Sequence, residues 1–492
     1  MKGYDKTVAM KINISIIKRA LSFLCATLTV LLLVSCAASS DSSESDTTGV
    51  QENTAAESLQ ITPVKSDKEI SDEAIAALLQ TDFGGDNVII VTSNDDAVLP
   101  DDTEDVVNRK RYERFNILEG KFNFTFVKRR LTDAAIYTGA KSAHNSELYY
   151  ADLIYVSPSQ LYRYQNADMA ANIAALPFVT LDAPYFDSAS MEQASADGFV
   201  YAAVGESNFN ADNLVGVFFN KELLAELGEI DLYKEVYDGN WTLEMMTELS
   251  RSTAYGADGK TTGLRGTLTD LTVNTFIDNA YYSAMGLNVS AGSDILPTYT
   301  PFDEAAQSCA DLIYGLMYNR SGFTNTDNAR KRFESGESLF CVTTLSEKNN
   351  IADSSFNWGI LPMPLYEAGC EYRALKNNGF TVTVVLSSTP DPTRSGILLE
   401  GINAAMYGYV EDAYFDECMY EIVRDNDTLN MIDIISDSAK CDFAFMFSGG
   451  ITDLDDCTYE AVRNTVKSAR TLEYYNNKGS KINERLTKAF ER

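Results

Sequence analysis

Three short apolar segments with helical stretches between them most constrain the fold of this chain. The segments are residues 87–92 (Asn-Val-Ile-Ile-Val-Thr), 122–127 (Phe-Asn-Phe-Thr-Phe-Val) and 151–156 (Ala-Asp-Leu-Ile-Tyr-Val). The first is continuously apolar, which is typical of a strand buried on both faces of a parallel sheet. Helical spacing between the first two is marked by Val107, Arg111, Phe115 and Leu118. This strand, helix, strand order predicts right-handed crossovers and a doubly wound α/β sheet.

Polar side chains follow two of these predicted strands. Asn94 and Asp95 come after the first strand, and Ser157, Ser159 and Gln160 come after the third. In doubly wound sheets, ligands bind beyond the carboxyl ends of the strands, so these five residues are candidate ligand contacts. Local explanations stay open as well, because Asn94 and Asp95 can start a turn and Ser159 can cap a helix.

The rest of the chain repeats the α/β pattern in a second region. Further apolar strands are predicted at residues 198–205, 214–219, 338–343, 356–361 and 379–386. Asn220 and Thr242 stand where helix N-caps are expected. From Arg394 onward helical spacing dominates. The predicted organisation is a first α/β lobe over 66–200 to which 379–425 return, a second α/β lobe over 201–378, and C-terminal helices over 426–492.

The N-terminus has the order of a bacterial lipoprotein signal. Basic residues precede an apolar run from Ala20 to Val34, and Leu33-Val34-Ser35-Cys36 reads as a lipobox. The run is shorter than the roughly 20 residues that span a bilayer. We therefore expect a signal peptide over 1–35, a lipid on Cys36, and a flexible acidic tether over 36–65. An ordinary signal peptide or a short transmembrane helix is the alternative interpretation.

Charge and residue usage narrow the classes of function. The formal charge is −31, and removal of the first 35 residues, which carry five basic and one acidic side chain, leaves −35. Nucleic acid is therefore a poor partner. His144 is the single histidine and has no nucleophile elbow beside it, so we interpret it as a surface loop residue. No phosphate-binding glycine loop or Cys-x-x-Cys motif occurs, and we expect no cofactor or metal.

Cysteines and acidic runs have several interpretations. Beyond the signal and the lipobox, the chain has Cys309, Cys341, Cys370, Cys418, Cys441 and Cys457. An even number outside the cytoplasm permits disulfides, and a reduced state is equally open. The acidic runs that start at Asp425 and Asp453 lack the glycine and terminal glutamate of a calcium loop, so helix capping explains them better.

A series of short motifs follows residue 87 in a fixed order. They are Leu176-Pro177 with Asp182-Ala-Pro-Tyr185, Gly198-Phe-Val-Tyr-Ala202, Phe219-Asn-Lys-Glu-Leu223, Leu232-Tyr233, Gly239-Asn-Trp-Thr242, Arg332-Phe-Glu-Ser-Gly-Glu337, Trp358-Gly-Ile-Leu-Pro-Met-Pro364, Arg424-Asp-Asn-Asp427 and Met431-Ile-Asp-Ile-Ile435. By the order and spacing of these motifs, the chain resembles the sugar-type extracellular solute-binding proteins of family 1, the class that includes the maltose-binding proteins.

The resemblance implies a two-lobed periplasmic-binding-protein-like fold of type II with a ligand cleft between the lobes. It implies a monomeric, non-catalytic receptor that is held at the extracellular or periplasmic side of the membrane and delivers a carbohydrate to an ABC transporter permease. To the contacts named above it adds Tyr201 and Glu206 on the hinge side and Thr344 and Asn378 from the second lobe. Trp241 and Trp358 are expected to pack internally. A tyrosine would then have to stack on a sugar ring in place of a tryptophan. This departure counts in favour of a ligand that is not a sugar.

Two other functions remain alternatives. A surface glycoside hydrolase needs only two carboxylates, and 71 acidic residues leave room for such a pair. A sensory or structural surface lipoprotein would have the same tether. The absence of a local acidic motif at a predicted strand end favours the binding protein.

Overall fold

A computed structural model of the chain describes residues 65–94, 98–100, 105–252, 264–266, 276–284, 286, 289–300, 304, 307–308, 311–312, 323–325, 329–418, 425–458, 460–461 and 472–491. Cys36 and Asp95, two of the predicted functional residues, and Cys309 lie outside these ranges. Within them, no helix is long and apolar enough to cross a membrane.

Helices and strands alternate along most of the described chain. The helices are α1 (Asp67–Ala77), α2 (Val106–Phe122), α3 (Asp133–Asn145), α4 (Leu161–Asn166), α5 (Ser188–Gln193), α6 (Lys221–Ala225), α7 (Leu232–Tyr237), α8 (Leu243–Ser252), α9 (Phe276–Ala284), α10 (Ala329–Glu334), α11 (Lys348–Ile351), α12 (Pro392–Met406), α13 (Val410–Glu417), α14 (Asn426–Asp437), α15 (Phe443–Phe447), α16 (Leu454–Cys457) and α17 (Leu472–Phe490). The strands are β1 (Asp86–Thr92), β2 (Phe124–Arg130), β3 (Leu153–Val156), β4 (Ser195–Ala196), β5 (Phe199–Val200), β6 (Val215–Asn220), β7 (Leu264–Gly266), β8 (Val289–Gly292), β9 (Ile295–Tyr299), β10 (Phe323–Asn325), β11 (Phe340–Thr344), β12 (Trp358–Leu361), β13 (Ala374–Leu375), β14 (Val382–Val384) and β15 (Ala439–Lys440).

The first lobe is built on a sheet with the order β14-β3-β1-β2. β1 pairs in parallel with β2 and with β3, whereas β14 pairs antiparallel with β3. The predicted alternation of parallel strands and helices is confirmed. The apolar run of β1 is explained by burial, since Val88, Ile90 and Val91 are fully buried. The carboxyl ends of β1, β2 and β3 and the amino end of β14 therefore share one edge of this sheet.

The second lobe is built on a five-stranded sheet with the order β10-β7-β11-β6-β12. All six residues of β6 are buried. Phe219 faces a core that contains Trp241, whereas the adjacent Phe218 faces the larger core of the chain. A strand covered on both faces is expected to be apolar throughout, as residues 215–219 are.

Two segments connect the two sheets. Residues 201–214 lead from the first lobe into β6, and residues 374–381 lead back into β14. In the second of these, β13 pairs in parallel with β15 near the end of the chain. The half-buried Lys376 beside β13 forms an ion pair of 2.5 Å with Asp187 of the first lobe. The sequence pattern is therefore resolved into two α/β lobes, and the predicted fold class is confirmed.

The predicted strand over residues 198–205 is wrong in its extent. Only β5 is a strand there, and it forms a short hairpin with β4. Asp197 and Gly198 both have positive φ, which makes the tight turn of this hairpin. Beyond it, Ala203 makes only an isolated bridge to Thr383 in β14.

Two further expectations need correction. His144 lies in the last turn of α3 and is half-buried, so it is not a loop residue. Asp453 makes no capping hydrogen bond, and it instead pairs with Lys478 and Arg485 of α17. Asp425, by contrast, caps α14 by accepting a hydrogen bond from the Thr428 N–H, as predicted.

The cysteine thiols of the described residues are mostly buried. Cys341, Cys418 and Cys441 are buried and Cys370 is exposed, and no disulfide joins these four to another described residue. Burial raises the pKa of the Cys441 thiol to about 12. Such a thiol stays protonated near neutral pH and is a poor nucleophile.

Candidate functional site

Predicted contacts from both segments of the first lobe meet at one sheet edge. Asn94 follows β1 and donates its side-chain amide to the Gly379 carbonyl at 2.9 Å. Ser159 follows β3 and donates its backbone N–H to Asn378 Oδ1 at 3.3 Å. Gln160 contacts the Ser159 hydroxyl at 3.3 Å. The structure therefore brings Asn94, Ser159, Gln160 and Asn378 together.

Ser157 lies beside this group and is held by the neighbouring helix. Its hydroxyl donates to Asp133 Oδ2 at 2.7 Å, and its N–H donates to Asp133 Oδ1 at 3.2 Å. Asp133 is in the first turn of α3, so the contact fixes the end of β3 against that helix.

Two residues, Asn377 and Gly379, explain why the chain turns before β14. Asn377 is buried, and its Oδ1 accepts a hydrogen bond from the Gly379 N–H at 2.8 Å, as in an Asx turn. A Cβ on Gly379 would lie 2.5 Å from the Asn213 side chain. Glycine is therefore required where the two segments approach each other.

This turn joins the two lobes through one carbonyl. Asn213, just before β6, donates its side-chain amide to the Gly379 carbonyl at 2.9 Å, and that carbonyl also accepts from Asn94. Asn377 in turn donates to the Asn213 carbonyl at 3.1 Å. The sheet edge of the first lobe and the entry to the second sheet are thus connected by amide groups.

Thr344 lies on the second-lobe side, at the end of β11. It pairs with Val215 in β6, and its hydroxyl is 2.8 Å from the Ser346 hydroxyl. The next residue, Leu345, donates its N–H to the Leu214 carbonyl at 2.8 Å. Thr344 is therefore near Asn213 along the same strand pair.

Tyr201 and Glu206 are placed differently from the other predicted contacts. Tyr201 is fully buried, with its ring centroid 5.6 Å from that of Phe447 and 5.9 Å from that of Phe490. Glu206 begins a short 3-10 turn and is half-buried. The structure does not bring the Tyr201 ring to the surface of the sheet edge.

The tryptophans are internal, as expected. Trp241 is fully buried and donates its indole N–H to the Pro362 carbonyl at 2.9 Å. Trp358 is also buried, with its ring centroid 5.8 Å from that of Phe218. Aromatic faces for a ligand must therefore come from other residues.

A cavity of about 280 Å³ adjoins the amide connection at Asn213. We call it the hinge cavity; its lining residues are Asp105, Val107, Asn108, Arg111, Phe209, Asn210, Ala211, Asp212, Asn213, Ser346, Lys348, Asn349, Tyr414 and Glu417. They come from the start of α2 and from α13 in the first lobe, from the connecting segment, and from the residues after β11 in the second lobe.

Charged groups in the hinge cavity are held by partners from different elements. Lys348 of α11 forms an ion pair with Asp212, and the Tyr414 hydroxyl donates to the same carboxylate at 3.0 Å. Arg111 of α2 donates to the Phe209 carbonyl at 2.5 Å. Burial raises the pKa of Tyr414 well above its ordinary value, so its hydroxyl remains a neutral donor.

The hinge cavity combines hydrogen-bonding groups with aromatic rings. The rings of Phe209 and Tyr414 meet edge to face with centroids 5.7 Å apart. Amide, carboxylate and hydroxyl groups surround them. Across the described ranges, no group of three or more His, Cys, Asp or Glu residues is arranged to hold a metal ion. The arrangement suits a neutral polar ligand with one apolar face.

None of the ligand contacts predicted from the sequence is among the lining residues of the hinge cavity. Arg111 occupies a position on the apolar face of α2, and its side chain is buried. An arginine at such a position indicates a polar partner in the interior, and this was the available signal in the sequence. Asp212, Lys348 and Tyr414 lie in separate parts of the chain, 136 residues apart for the first pair. No local motif connects them.

Comparisons with known proteins concern the fold. No protein-family model matches the chain, and no curated protein matches it at the significance threshold. The GacH receptor of Streptomyces glaucescens, whose structures include complexes with acarbose and an acarbose homolog, is 14% identical with a TM-score of 0.50 and covers 83% of this chain and 99% of that one.

Two further structures agree over a similar length. A cyclo/maltodextrin-binding protein complexed with maltotetraose is 12% identical with a TM-score of 0.53, covering 82% of this chain and 97% of that one. M. tuberculosis UspC is 13% identical with a TM-score of 0.55, covering 81% and 100%. The chain therefore has the two-lobed α/β fold of the sugar-type extracellular solute-binding proteins of family 1.

Proposed function

We propose that this protein is a non-catalytic receptor that captures a sugar or an oligosaccharide and delivers it to the permease of an ABC importer. The observation that carries the proposal is the hinge cavity, which is lined from both lobes. One of its lining residues, Asn213, donates to the same Gly379 carbonyl as the predicted contact Asn94. The sugar-binding proteins that share the fold support the same ligand class.

The lining gives a physical reason for a saccharide. The hydroxyl groups of a sugar can donate to carboxylate and carbonyl oxygens and accept from amides, and the apolar face of its ring can pack on Phe209 or Tyr414. A ligand that contacts both lobes at once favours the closed arrangement over the open one. Binding of the ligand and closure of the two lobes are then coupled.

The N-terminal lipobox supports the rest of the proposal. A diacylglyceryl group on Cys36 and a second acyl chain would provide two anchors, enough for stable attachment to the membrane. The acidic tether would leave the lobes free at the extracellular or periplasmic side. This attachment raises the effective concentration of the receptor near its permease.

Thermal-shift screening of the purified protein tests the proposed ligand class. The panel contains glucose, maltotriose, cellotriose, xylotriose, mannotriose, digalacturonic acid and a control tripeptide. One neutral saccharide is expected to stabilise the fold saturably, by about 2.7 kcal/mol when it is present at 100 times its Kd. Stabilisation by the peptide alone would contradict a sugar receptor.

A variant and a product analysis extend this experiment. Replacing Asn94 with Ala should weaken binding of that saccharide roughly tenfold, because one amide hydrogen-bond network at the sheet edge is lost. An unchanged affinity would remove Asn94 from the site. Chromatography of the saccharide after incubation separates capture from hydrolysis, since shortened products would favour the glycoside hydrolase.

A further inference from the structure

We propose that Asp212 is a ligand-binding residue that accepts hydrogen bonds from ligand hydroxyl groups and selects neutral or cationic polyhydroxylated ligands over acidic ones. This inference rests on the proposed function, and it adds a residue and a charge preference to the site. None of the sequence motifs points to Asp212.

The carboxylate of Asp212 is oriented by two contacts to one of its oxygens. Lys348 Nζ pairs with Oδ1, and the Tyr414 hydroxyl donates to the same Oδ1 at 3.0 Å. The Lys348 ammonium group also lies 5.0 Å from the centroid of the Tyr414 ring. Because Lys348 is 2% exposed, the ion pair is desolvated on its side. The carboxylate therefore has a fixed direction before any ligand arrives.

The second oxygen of Asp212 is available to a ligand. The contacts from Lys348 and Tyr414 both end on Oδ1, the Asp212 side chain is 37% exposed, and the residue lines the hinge cavity. An ionised carboxylate only accepts hydrogen bonds, and the hydroxyl groups of a sugar are donors. Hydrogen bonds to an ionised acceptor are about twice as strong as those between neutral groups.

The position of Asp212 connects this contact to both lobes. It lies in the short 3-10 turn Ala211–Asn213 that leads into β6. Lys348 belongs to the second lobe, and Tyr414 belongs to α13, which packs on α2 of the first lobe. A ligand held by Asp212 is thus held at the point where the chain passes between the lobes.

The charges around the cavity disfavour an acidic ligand. Asp105 and Glu417 add two carboxylates to the lining. The two basic residues, Arg111 and Lys348, are both buried and already contact protein oxygens, the Phe209 carbonyl and Asp212. A carboxylate on the ligand would meet like charges at short distance in a partly desolvated space. Neutral sugars and amino sugars avoid this repulsion.

Titration calorimetry of the purified protein tests the inference with two probes: the neutral saccharide with the largest thermal shift, and digalacturonic acid. Wild type is expected to bind the neutral probe at least about tenfold more tightly than the acidic one. Asp212→Asn keeps an acceptor for Lys348 and Tyr414 but removes the charge. This substitution should weaken binding of the neutral probe at least about tenfold. It should also reduce the ratio between the affinities for the neutral and the acidic probe.

Two other variants separate ligand contact from structural support. Tyr414→Phe should weaken binding of the neutral probe by a smaller factor. The ratio between the affinities for the two probes should stay unchanged, because the Asp212 charge remains. Asp353→Asn, at an exposed position of the second lobe, should change neither quantity. Discrimination that stays the same in Asp212→Asn overturns the inference and leaves the proposed function intact. A panel in which no saccharide binds wild type overturns both.

Discussion

At the scale of single residues, Asp442 has a pH-dependent effect on stability. Its side chain is buried, and it caps α15 by accepting a hydrogen bond from the Phe445 N–H at 2.8 Å. Burial raises the pKa of Asp442 to about 6, although the backbone N–H groups that it accepts from oppose the shift. The ordinary pKa of an aspartate is about 3.9. The folded state therefore binds more protons between these values, and the free energy of unfolding falls as pH rises from about 4 to about 6.

Asp442→Asn is expected to remove this pH dependence. Asparagine keeps the cap and cannot ionise, so the variant should gain about 2 to 3 kcal/mol relative to wild type between pH 4 and pH 7. Urea unfolding at several pH values measures the difference. Asp353→Asn, an exposed control, should follow wild type throughout. A difference that stays constant with pH would contradict the raised pKa.

Some site residues were predictable from sequence because topology determines where strand ends meet. Asn94 and Ser159 follow parallel neighbours, so both had to lie on the same sheet edge. No such topological rule predicts the contact of Asp212 with Lys348 and Tyr414. It joins residues separated by 136 and 202 positions, and only the packing of α13 and the residues after β11 brings them together.

At the scale of elements, the cap of α6 is set by one side chain. Asn220 ends β6, and its Oδ1 accepts from the backbone N–H groups of Glu222 and Leu223 at 2.9 and 3.1 Å. The side chain is buried, so water cannot replace these bonds. The predicted N-cap is confirmed, and the strand passes directly into the helix.

Replacing Asn220 with Ala should lower the free energy of unfolding by about 1 to 2 kcal/mol. The loss comes from two backbone donors that would remain buried without an acceptor. Asn220→Asp keeps a capping oxygen and should retain most of the stability. Denaturant unfolding monitored by circular dichroism compares the three proteins. Equal loss in both variants would show that the amide nitrogen, and not the cap, is what matters.

Element prediction succeeded where burial on both faces leaves a continuous apolar run. β1, β3 and β6 are of this kind. β3 lies within its predicted range, and β1 and β6 each extend one residue beyond theirs. Residues 198–205 are equally apolar and contain only the two-residue strand β5. Their burial comes from loop segments packed in the core, with Ala202 and Val204 fully buried, and composition alone does not separate this case from a strand.

At the scale of the whole molecule, the proposed lipid anchor makes a prediction about location. Cys36→Ser removes the thiol that would be lipidated, while the predicted signal before it and the lobes after it are unchanged. Wild type should fractionate with membranes, and the variant should appear in the soluble extracellular or periplasmic fraction. Saccharide binding in solution should be equal for both. A variant that stays in the membrane fraction would contradict the anchor.

The pairing of β14 with β3 also determines when the first lobe can be completed. During synthesis the chain emerges from its amino end, and the first sheet lacks its fourth strand until Val384 has emerged. Until then the edge of β3 carries unpaired backbone groups that can pair with another chain. No contiguous fragment contains the complete first lobe without the whole second sheet. The order of synthesis therefore delays the finished fold, and the proposed export would act on a chain that is still unfolded, which is the form that can be threaded through a narrow channel.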